Sequence, residues 1–296
     1  MEKVIKASIP EHIFRWLRHE REGEILCVGS SGVYLQFEQR IVLLSDESWG
    51  ILPIGIGVEN FQAARQYLHL RQGQTVQVQE NRLVFPTGGI MLLPVKADLA
   101  ESGDRLPMLS RVRQAALELA ALRKERGISM LVLPLVLEGR PQQQDLYCVQ
   151  AGIYLEKLMH ALLEDDREHI RACLGKLLGL GMGLTPSADD VLLGMLYVFR
   201  KLPRSSPVSA GFFQEQVLGM CDGYTGKISA AYLKAIIDGA PFERMEQVFR
   251  GICGERPLDI EMLTQIGSSS GTEMLLGMLI ALRICGYQPS VEEKLP

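Results

Sequence analysis

The sequence lacks several features that would assign it to a common functional class. Its 296 residues carry a net charge of −4 with acidic and basic residues interleaved, so nothing predicts binding to nucleic acid or to a membrane surface. The six cysteines are scattered without a CxxC pair, which excludes a zinc ribbon and favours free, buried thiols in a reducing compartment. The N-terminal residues lack the apolar stretch of a secretory signal. The longest apolar runs, residues 191–199 and 274–282, fall well short of the ~20 residues of a membrane span. We therefore expect a cytoplasmic protein.

Composition and periodicity divide the chain into two predicted domains. With 47% hydrophobic and 22% charged residues, the chain can bury a sizeable core. Short β-type runs fill the first third, helical periodicity follows, and the polar stretch 97–107, with Gly103 and Pro107, separates the two. We predict an α+β fold with a small β-rich domain over residues 1–100, barrel-like or sandwich-like. An all-helical domain over residues 107–290 follows it.

Alternation of apolar and polar residues predicts the strands of the first domain. Apolar residues alternate with Tyr34 and Gln36 over residues 33–37, which is typical of a strand with one buried face. Residues 61–70 have helical spacing instead and are expected to cover or plug a small sheet. Other candidate strands cover residues 41–44, 74–79, 82–85 and 90–95.

Helical spacing predicts the second domain. Apolar residues recur between positions 112 and 122 at the i, i+3, i+4 and i+7 spacing of an amphipathic helix. Residues 128–137 fit a buried strand as well as a helix interrupted by proline. Other helices are predicted near residues 145–164, 166–178, 187–201, 209–222, 227–238, 242–253, 257–266 and 271–284.

The most informative stretch, GLGMGLTPSADDVLLGMLYVFR at residues 179–200, is partly repeated. Residues 185–200 align without gaps to residues 268–283, SSSGTEMLLGMLIALR, with seven identical positions. Each copy is a loop that turns into a helix with few polar residues on any face, which is typical of the centre of a bundle. Gly194 and Gly277 occupy equivalent places, where glycine costs about 1 kcal/mol relative to alanine. We predict that the two helices cross at these glycines.

The two helix starts predict a site for a small anion. The first N–H groups of a helix lack partners within it and carry partial positive charge, and glycines ahead of them let a ligand approach the backbone. If the helices lie side by side and parallel, both N-termini open onto one site. The residues expected to contact substrate are Gly181, Gly183, Thr185, Ser187, Thr225, Ser229, Ser268, Ser269, Ser270, Gly271 and Glu273.

The caps of these helices have more than one possible register. In the first copy, Thr185 fits an N-cap with Pro186 at the first helical position, or Ser187 fits an N-cap with Asp190 three residues later. In the second copy, Ser270 and Glu273 fit a capping box. Caps of this kind also occur at helix starts that bind nothing, so a purely structural role remains the alternative.

Three charged residues are the candidate catalytic groups. Asp189 and Asp190 follow the glycine-rich loop, where one can cap the helix while the other hydrogen-bonds an amide or ammonium group or acts as a general base. Adjacent helical residues point about 100° apart, which disfavours Mg²⁺ between them, and no cofactor is expected. Lys227, in GYTGKISAAYL, would supply a fixed positive charge, although a solvated lysine beside an ordinary cap explains it equally.

Three motifs resemble a bacterial family. GMGLTPSADDVLLGML, ISAAYL and GSSSGTEMLLGML recur in this order and at similar separations in the AllH family, the third subunit of oxamate carbamoyltransferase in allantoin degradation. The resemblance covers residues from about 145 to 285. Ser268 stands where family members often have histidine, and Glu273 where they have aspartate, so an acid–base role of that histidine does not carry over.

The resemblance implies a subunit of a carbamoyl-transferring complex with two larger, AllF-like and AllG-like partners. Its substrates would be oxamate or oxalurate, carbamoyl phosphate and inorganic phosphate. Whether this subunit itself catalyses the reaction is left open. The alternatives are a non-catalytic scaffold subunit and a stand-alone protein that binds a small phosphate or carboxylate metabolite.

Overall fold

The computed structural model describes residues 5–29, 31–38, 40–96, 105–122, 127–139 and 146–288. The chain divides into two compact units, one formed by residues 1–100 with 239–243 and the other by residues 101–238 with 244–296. Most of the predicted linker at 97–107 lies outside the described residues.

The first unit is a closed β-barrel. Its strands follow the order β1-β5-β4-β3-β2-β6-β7-β8, and β8 returns to pair with β1. The β1–β8 and β4–β5 pairs are parallel and the others antiparallel. The strands are β1 (Ile5–Pro10), β2 (Glu22–Val28), β3 (Gly32–Phe37), β4 (Arg40–Asp46), β5 (Gly55–Val58), β6 (Thr75–Gln79), β7 (Arg82–Phe85) and β8 (Gly88–Val95).

The barrel interior follows the alternation of the strands. Val33, Leu35 and Phe37 on β3 are fully buried, as their period of two predicts. Two short helices, α1 (Glu11–Leu17) and α2 (Phe61–Tyr67), contribute apolar residues to the same core. The β-rich domain is therefore a barrel and not a sandwich, which decides between the two predicted architectures.

The second unit is helical. The segment 128–137, which the sequence left ambiguous, forms a short 3-10 turn followed by one α-helical turn. The helix predicted at 257–266 covers only four residues. The helices are α3 (Leu109–Ala121), α4 (Val132–Leu135), α5 (Leu146–Leu163), α6 (Arg167–Leu177), α7 (Ser187–Lys201), α8 (Ala210–Tyr224), α9 (Lys227–Ile237), α10 (Glu243–Ile252), α11 (Glu261–Thr264) and α12 (Ser270–Ile284).

Helices α7 and α12 form the centre of this unit, as their apolar faces predict. Residues 187–199 and 271–282 are buried without a break. A methyl group on Gly194 would collide with the carbonyl oxygen of Met274, and one on Gly277 would collide with that of Val191. The predicted crossing at the two glycines is therefore confirmed.

This crossing is reciprocal. Val191 and Met274 occupy equivalent positions of the repeat, as do Gly194 and Gly277. The glycine of each copy thus packs against the same carbonyl of the other copy. The two copies of the motif are related by an approximate two-fold axis between α7 and α12.

Two further expectations concern membranes and thiols. No helix in the described part of the chain is long and apolar enough to cross a membrane. All six cysteines lie within the described ranges and are free of disulfides there. Four of them are buried and two are half-buried, namely Cys148, Cys173, Cys221 and Cys253, and Cys27 and Cys285.

Candidate functional site

The starts of α7 and α12 lie together at one end of the helical unit. The hydroxyl oxygens of Thr185 and Ser270 are 3.2 Å apart, although the residues are far apart in sequence. The helices therefore run side by side in the same direction, the arrangement on which the shared-site hypothesis depends. The polar side chains gathered here come from both copies of the motif and from α9, and we call them the hydroxyl–carboxyl cluster. Its members are Thr185, Ser187, Asp189, Asp190, Ser229, Ser269, Ser270 and Glu273.

Hydrogen bonds in this cluster cross from each copy of the motif to the other. Asp190 of α7 accepts hydrogen bonds from Thr185, at 3.1 Å, and from Ser270 of the α12 motif. Glu273 of α12 accepts hydrogen bonds from Ser187 of α7 and from Ser269, the latter at 3.2 Å. Since Ser187 corresponds to Ser270 and Asp190 to Glu273 in the repeat, the serine of each copy bonds the acid of the other. The approximate two-fold axis thus passes between the two acids.

Asp189 has a different environment from its neighbour. Its carboxylate accepts hydrogen bonds from the Gly179 amide at 2.8 Å, from the Ser229 hydroxyl at 2.6 Å and from Thr225. These donors fix the start of α9 and the end of α6 to the start of α7. Asp189 is therefore a structural link, and the two adjacent aspartates face different partners, as their angular separation predicts.

The three acids carry raised pKa values. Burial raises the pKa of Asp190 well above its usual range, and the nearby charge of Glu273 raises it further. Burial also raises the pKa values of Asp189 and Glu273, although hydroxyl and amide donors oppose the shift. Carboxyl groups of this kind favour their protonated form, in which they can donate as well as accept a hydrogen bond.

The predicted caps are wrong for both helices. The N-cap of α7 is Pro186, and that of α12 is Ser269. Neither helix has a side-chain cap among the described residues, because the hydroxyls of Thr185, Ser187 and Ser270 hydrogen-bond the acids instead. No capping box therefore forms between Ser270 and Glu273.

Loop carbonyls cap the helices in place of these side chains. The Ala188 amide donates to the Leu180 carbonyl and the Gly271 amide to the Ile266 carbonyl, each at 3.0 Å. Some of the N–H groups expected to face an anion thus have partners within the protein. The hydroxyls and the acids, more than the helix ends, are the polar groups this site offers.

The predicted glycines have different surroundings. Gly181 has a positive φ of 128°, and a side chain there would collide with the Ser187 amide. Gly271 packs against the Leu263 carbonyl in the same way. Gly183 is exposed, with no heavy atom nearer than 3.9 Å to an added Cβ. Of these three glycines, Gly183 leaves the most space beside its backbone.

Burial sets the accessible side of the cluster. Asp190 and Glu273 are each 1% exposed, whereas Thr185, Ser269 and Ser270 are half-buried. A ligand approaching from solvent would therefore meet the hydroxyls first and the acids behind them.

The remaining predicted residues lie around this region. Ser268 is exposed just ahead of α12, and Lys227 is exposed at the first position of α9. Among the described residues, no group of three or more histidine, cysteine, aspartate or glutamate side chains is arranged to hold a metal ion.

Sequence reasoning missed two backbone donors. The Ile128 amide donates to Glu273 at 3.1 Å, and the Gly179 amide donates to Asp189. A backbone amide has no side-chain signature in a sequence. The one available signal was Gly127, whose φ of 97° and contact with the Glu273 carboxyl require glycine.

Comparison with known proteins supports the resemblance found in the motifs. No solved structure matches the chain. One family model matches a stretch that is less than half of the chain. This stretch holds the first copy of the repeat, the second copy up to residue 282, and the Thr225–Ser229 segment. Residues 177–282 match the family described as oxamate carbamoyltransferase subunit AllH, which confirms the resemblance over this stretch.

Proposed function

We propose that the chain is a subunit of a cytoplasmic carbamoyltransferase complex in allantoin and purine nitrogen breakdown. Its substrates are oxamate or oxalurate, carbamoyl phosphate and phosphate, and its partners are two larger, AllF-like and AllG-like subunits. The family match over residues 177–282 carries this proposal, because the matched stretch contains the repeat up to residue 282.

The hydroxyl–carboxyl cluster suits the shared chemistry of these substrates. Oxamate, oxalurate and carbamoyl phosphate all pair an amide-type group with an anionic group. The amide N–H groups can donate to the hydroxyl oxygens of Thr185 and Ser270, whose own protons are donated to Asp190. We assign these half-buried hydroxyls to substrate binding.

Asp190 and Glu273 act behind the hydroxyls in this proposal. When phosphate attacks the ureido carbonyl of oxalurate, an O–C bond forms, the C–N bond to oxamate breaks, and the departing nitrogen takes up a proton. Burial raises the pKa of the Asp190 carboxyl well above its usual range, which favours the protonated form that such a step needs. Thr185 and Ser270 connect Asp190 to the substrate, so Asp190 is a positioning and proton-holding residue.

Activity of the assembled complex tests this proposal. Asp190→Asn keeps the shape of the side chain but cannot exchange the proton, so we expect kcat to fall by about 10²-fold or more. Glu156→Gln, an exposed residue on α5, is the matched control and should retain full activity. Oxamate-dependent consumption of carbamoyl phosphate is the assay, and circular dichroism confirms folding. Activity of Asp190→Asn within twofold of wild type would contradict the role of the cluster.

One observation favours a scaffold role as the second candidate. The three donors on Asp189 and the glycine contacts at the crossing already explain much of the motif through packing. Under this alternative, Thr185→Ala and Lys227→Ala would leave the specific activity of the assembled complex unchanged. A stand-alone metabolite-binding protein would instead show a thermal shift with phosphate or oxamate in the absence of partners.

A further inference from the structure

A groove between α6 and α8 is lined by cationic and aromatic side chains that are not part of the hydroxyl–carboxyl cluster. Its volume is about 760 Å³, within the range of about 300–1,000 Å³ common for small-molecule sites. Helix α6 lines it with the cations Arg167, Arg171 and Lys176, and α8 lines it with the rings of Phe212 and Tyr224.

The two ends of the groove differ. At one end the Arg167 guanidinium lies 5.3 Å from the centroid of the Phe212 ring, a cation–π contact within the protein. At the other end Tyr224 is 53% exposed. There the Tyr224 ring and the Met220 methyl group lie over Gly175, since an added Cβ would be 3.7 Å from each, an ordinary contact distance. The exposed part of the Tyr224 ring is suited to stacking with a planar group.

The charge of the groove is positive in its middle and at the Tyr224 end. Arg171 and Lys176 are exposed, and neither forms an ion pair with any described residue. The acid that lines the groove is Glu168, which adjoins Arg167 in sequence and lies one helical turn before Arg171. Arg171 and Lys176 are separated by about 7.5 Å along the helix axis and by about 140° around it, and both side chains line the groove.

We propose that this groove binds a nucleoside diphosphate. Its phosphates would lie on Arg171 and Lys176, and its base would stack on Tyr224. A nucleoside diphosphate would contact both the two cations and the exposed ring. A simple anion would contact only the cations, and an uncharged ring only Tyr224.

The groove borders the hydroxyl–carboxyl cluster. The carbonyl of Tyr224 packs against Gly179, and the next residue, Thr225, hydrogen-bonds Asp189. A ligand on Tyr224 would thus lie beside the loop that leads into α7. The inference does not depend on the proposed carbamoyltransferase function, because the groove is lined by α6 and α8 alone.

Calorimetric titration of the full chain with ADP, pyrophosphate and adenosine tests the proposal. We expect ADP to bind most tightly, pyrophosphate more weakly and adenosine weakest. Arg171→Glu with Lys176→Glu should weaken ADP binding by at least about tenfold, since each removes a charge-assisted contact. Tyr224→Leu should weaken ADP binding to the level of pyrophosphate and leave pyrophosphate unchanged.

The matched control is Arg204→Glu with Lys157→Glu, which reverses the same amount of charge at exposed positions outside the groove. It should bind ADP like wild type. The proposal is overturned if wild type does not bind ADP, if the groove variant binds it unchanged, or if the control loses as much affinity. Equal affinity for ADP and pyrophosphate would overturn the stacking on Tyr224. Tighter binding of an oligoglutamate peptide through the same two cations would reassign the groove to an acidic polypeptide.

Discussion

Replacing Gly277 by alanine tests whether the α7–α12 crossing needs glycine. The added methyl group would collide with the carbonyl oxygen of Val191, a backbone atom that cannot move aside by rotating a side chain. The helices would have to separate along a contact that is buried on both sides.

The expected magnitude is the difference of two opposing effects. Overpacking of a close-packed interior costs about 1–3 kcal/mol, and the upper end applies here because the obstacle is main chain. Alanine returns up to about 1 kcal/mol through its higher helix propensity. The net loss of about 2 kcal/mol corresponds to a fall in Tm of about 4–8 °C.

Gly219→Ala is the matched control for this experiment. Gly219 lies in the exposed part of α8, and an added Cβ would meet no heavy atom within 4 Å. Alanine should therefore raise Tm by about 2–4 °C. Thermal unfolding followed by circular dichroism at the helix band measures both variants. If Gly277→Ala is as stable as wild type while Gly219→Ala gains stability, the close-contact reasoning is refuted.

Three further predictions concern buried charges and thiols. The raised pKa of Asp190 means that wild type is most stable where the carboxyl is protonated. It loses stability as pH rises above the ordinary range of a carboxyl and through the folded pKa, so Asp190→Asn should show a smaller loss over this rise in urea unfolding. An equal loss of stability in wild type and variant would show that the ionisation of Asp190 is not its cause. Lys201→Met removes the cation paired with Glu246, which is 3% exposed. This substitution should lower the free energy of unfolding by about 3–5 kcal/mol. Adding Glu246→Gln should restore most of that loss. Burial raises the pKa of Cys253 to about 12, so iodoacetamide at pH 8 should alkylate this thiol only after unfolding, as peptide mass spectrometry would show.

Local periodicity was sufficient to predict much of the fold. Strand β3 buries its alternate residues, and α7 and α12 lie at the centre of the helical unit because their sequences are apolar on every face. Strands β1 and β5 were missed. In β1 the apolar residues Ile5, Ala7 and Ile9 alternate with Lys6 and Ser8, a period of two that was overlooked, whereas β5 reads GIGV and has little β-type pattern. Both are held by pairing with residues distant in sequence.

The candidate site was predictable in its side chains but not in its hydrogen bonds. The repeat predicted that Thr185 and Ser270 would lie at one shared site if the two helices were parallel, yet the standard capping rules misassigned both hydroxyls. Those rules consider a backbone amide that donates to the hydroxyl oxygen, whereas here each hydroxyl donates to the buried carboxyl of Asp190. The roles of the Ile128 and Leu180 backbone groups depend on tertiary folding, which a single sequence does not encode locally.

The reciprocal contacts between α7 and α12 have the form of an isologous interface, as in a two-fold dimer, within one chain. Each contact of such an interface occurs twice, so the serine of one copy and the acid of the other form one half of a symmetric pair. Here the two halves have diverged, since Asp190 faces Glu273 and not a second aspartate. A single chain can vary one half while it keeps the other, which a homodimer of identical subunits cannot do. The two acids at the axis can therefore differ in length and in partners while the scaffold stays symmetric.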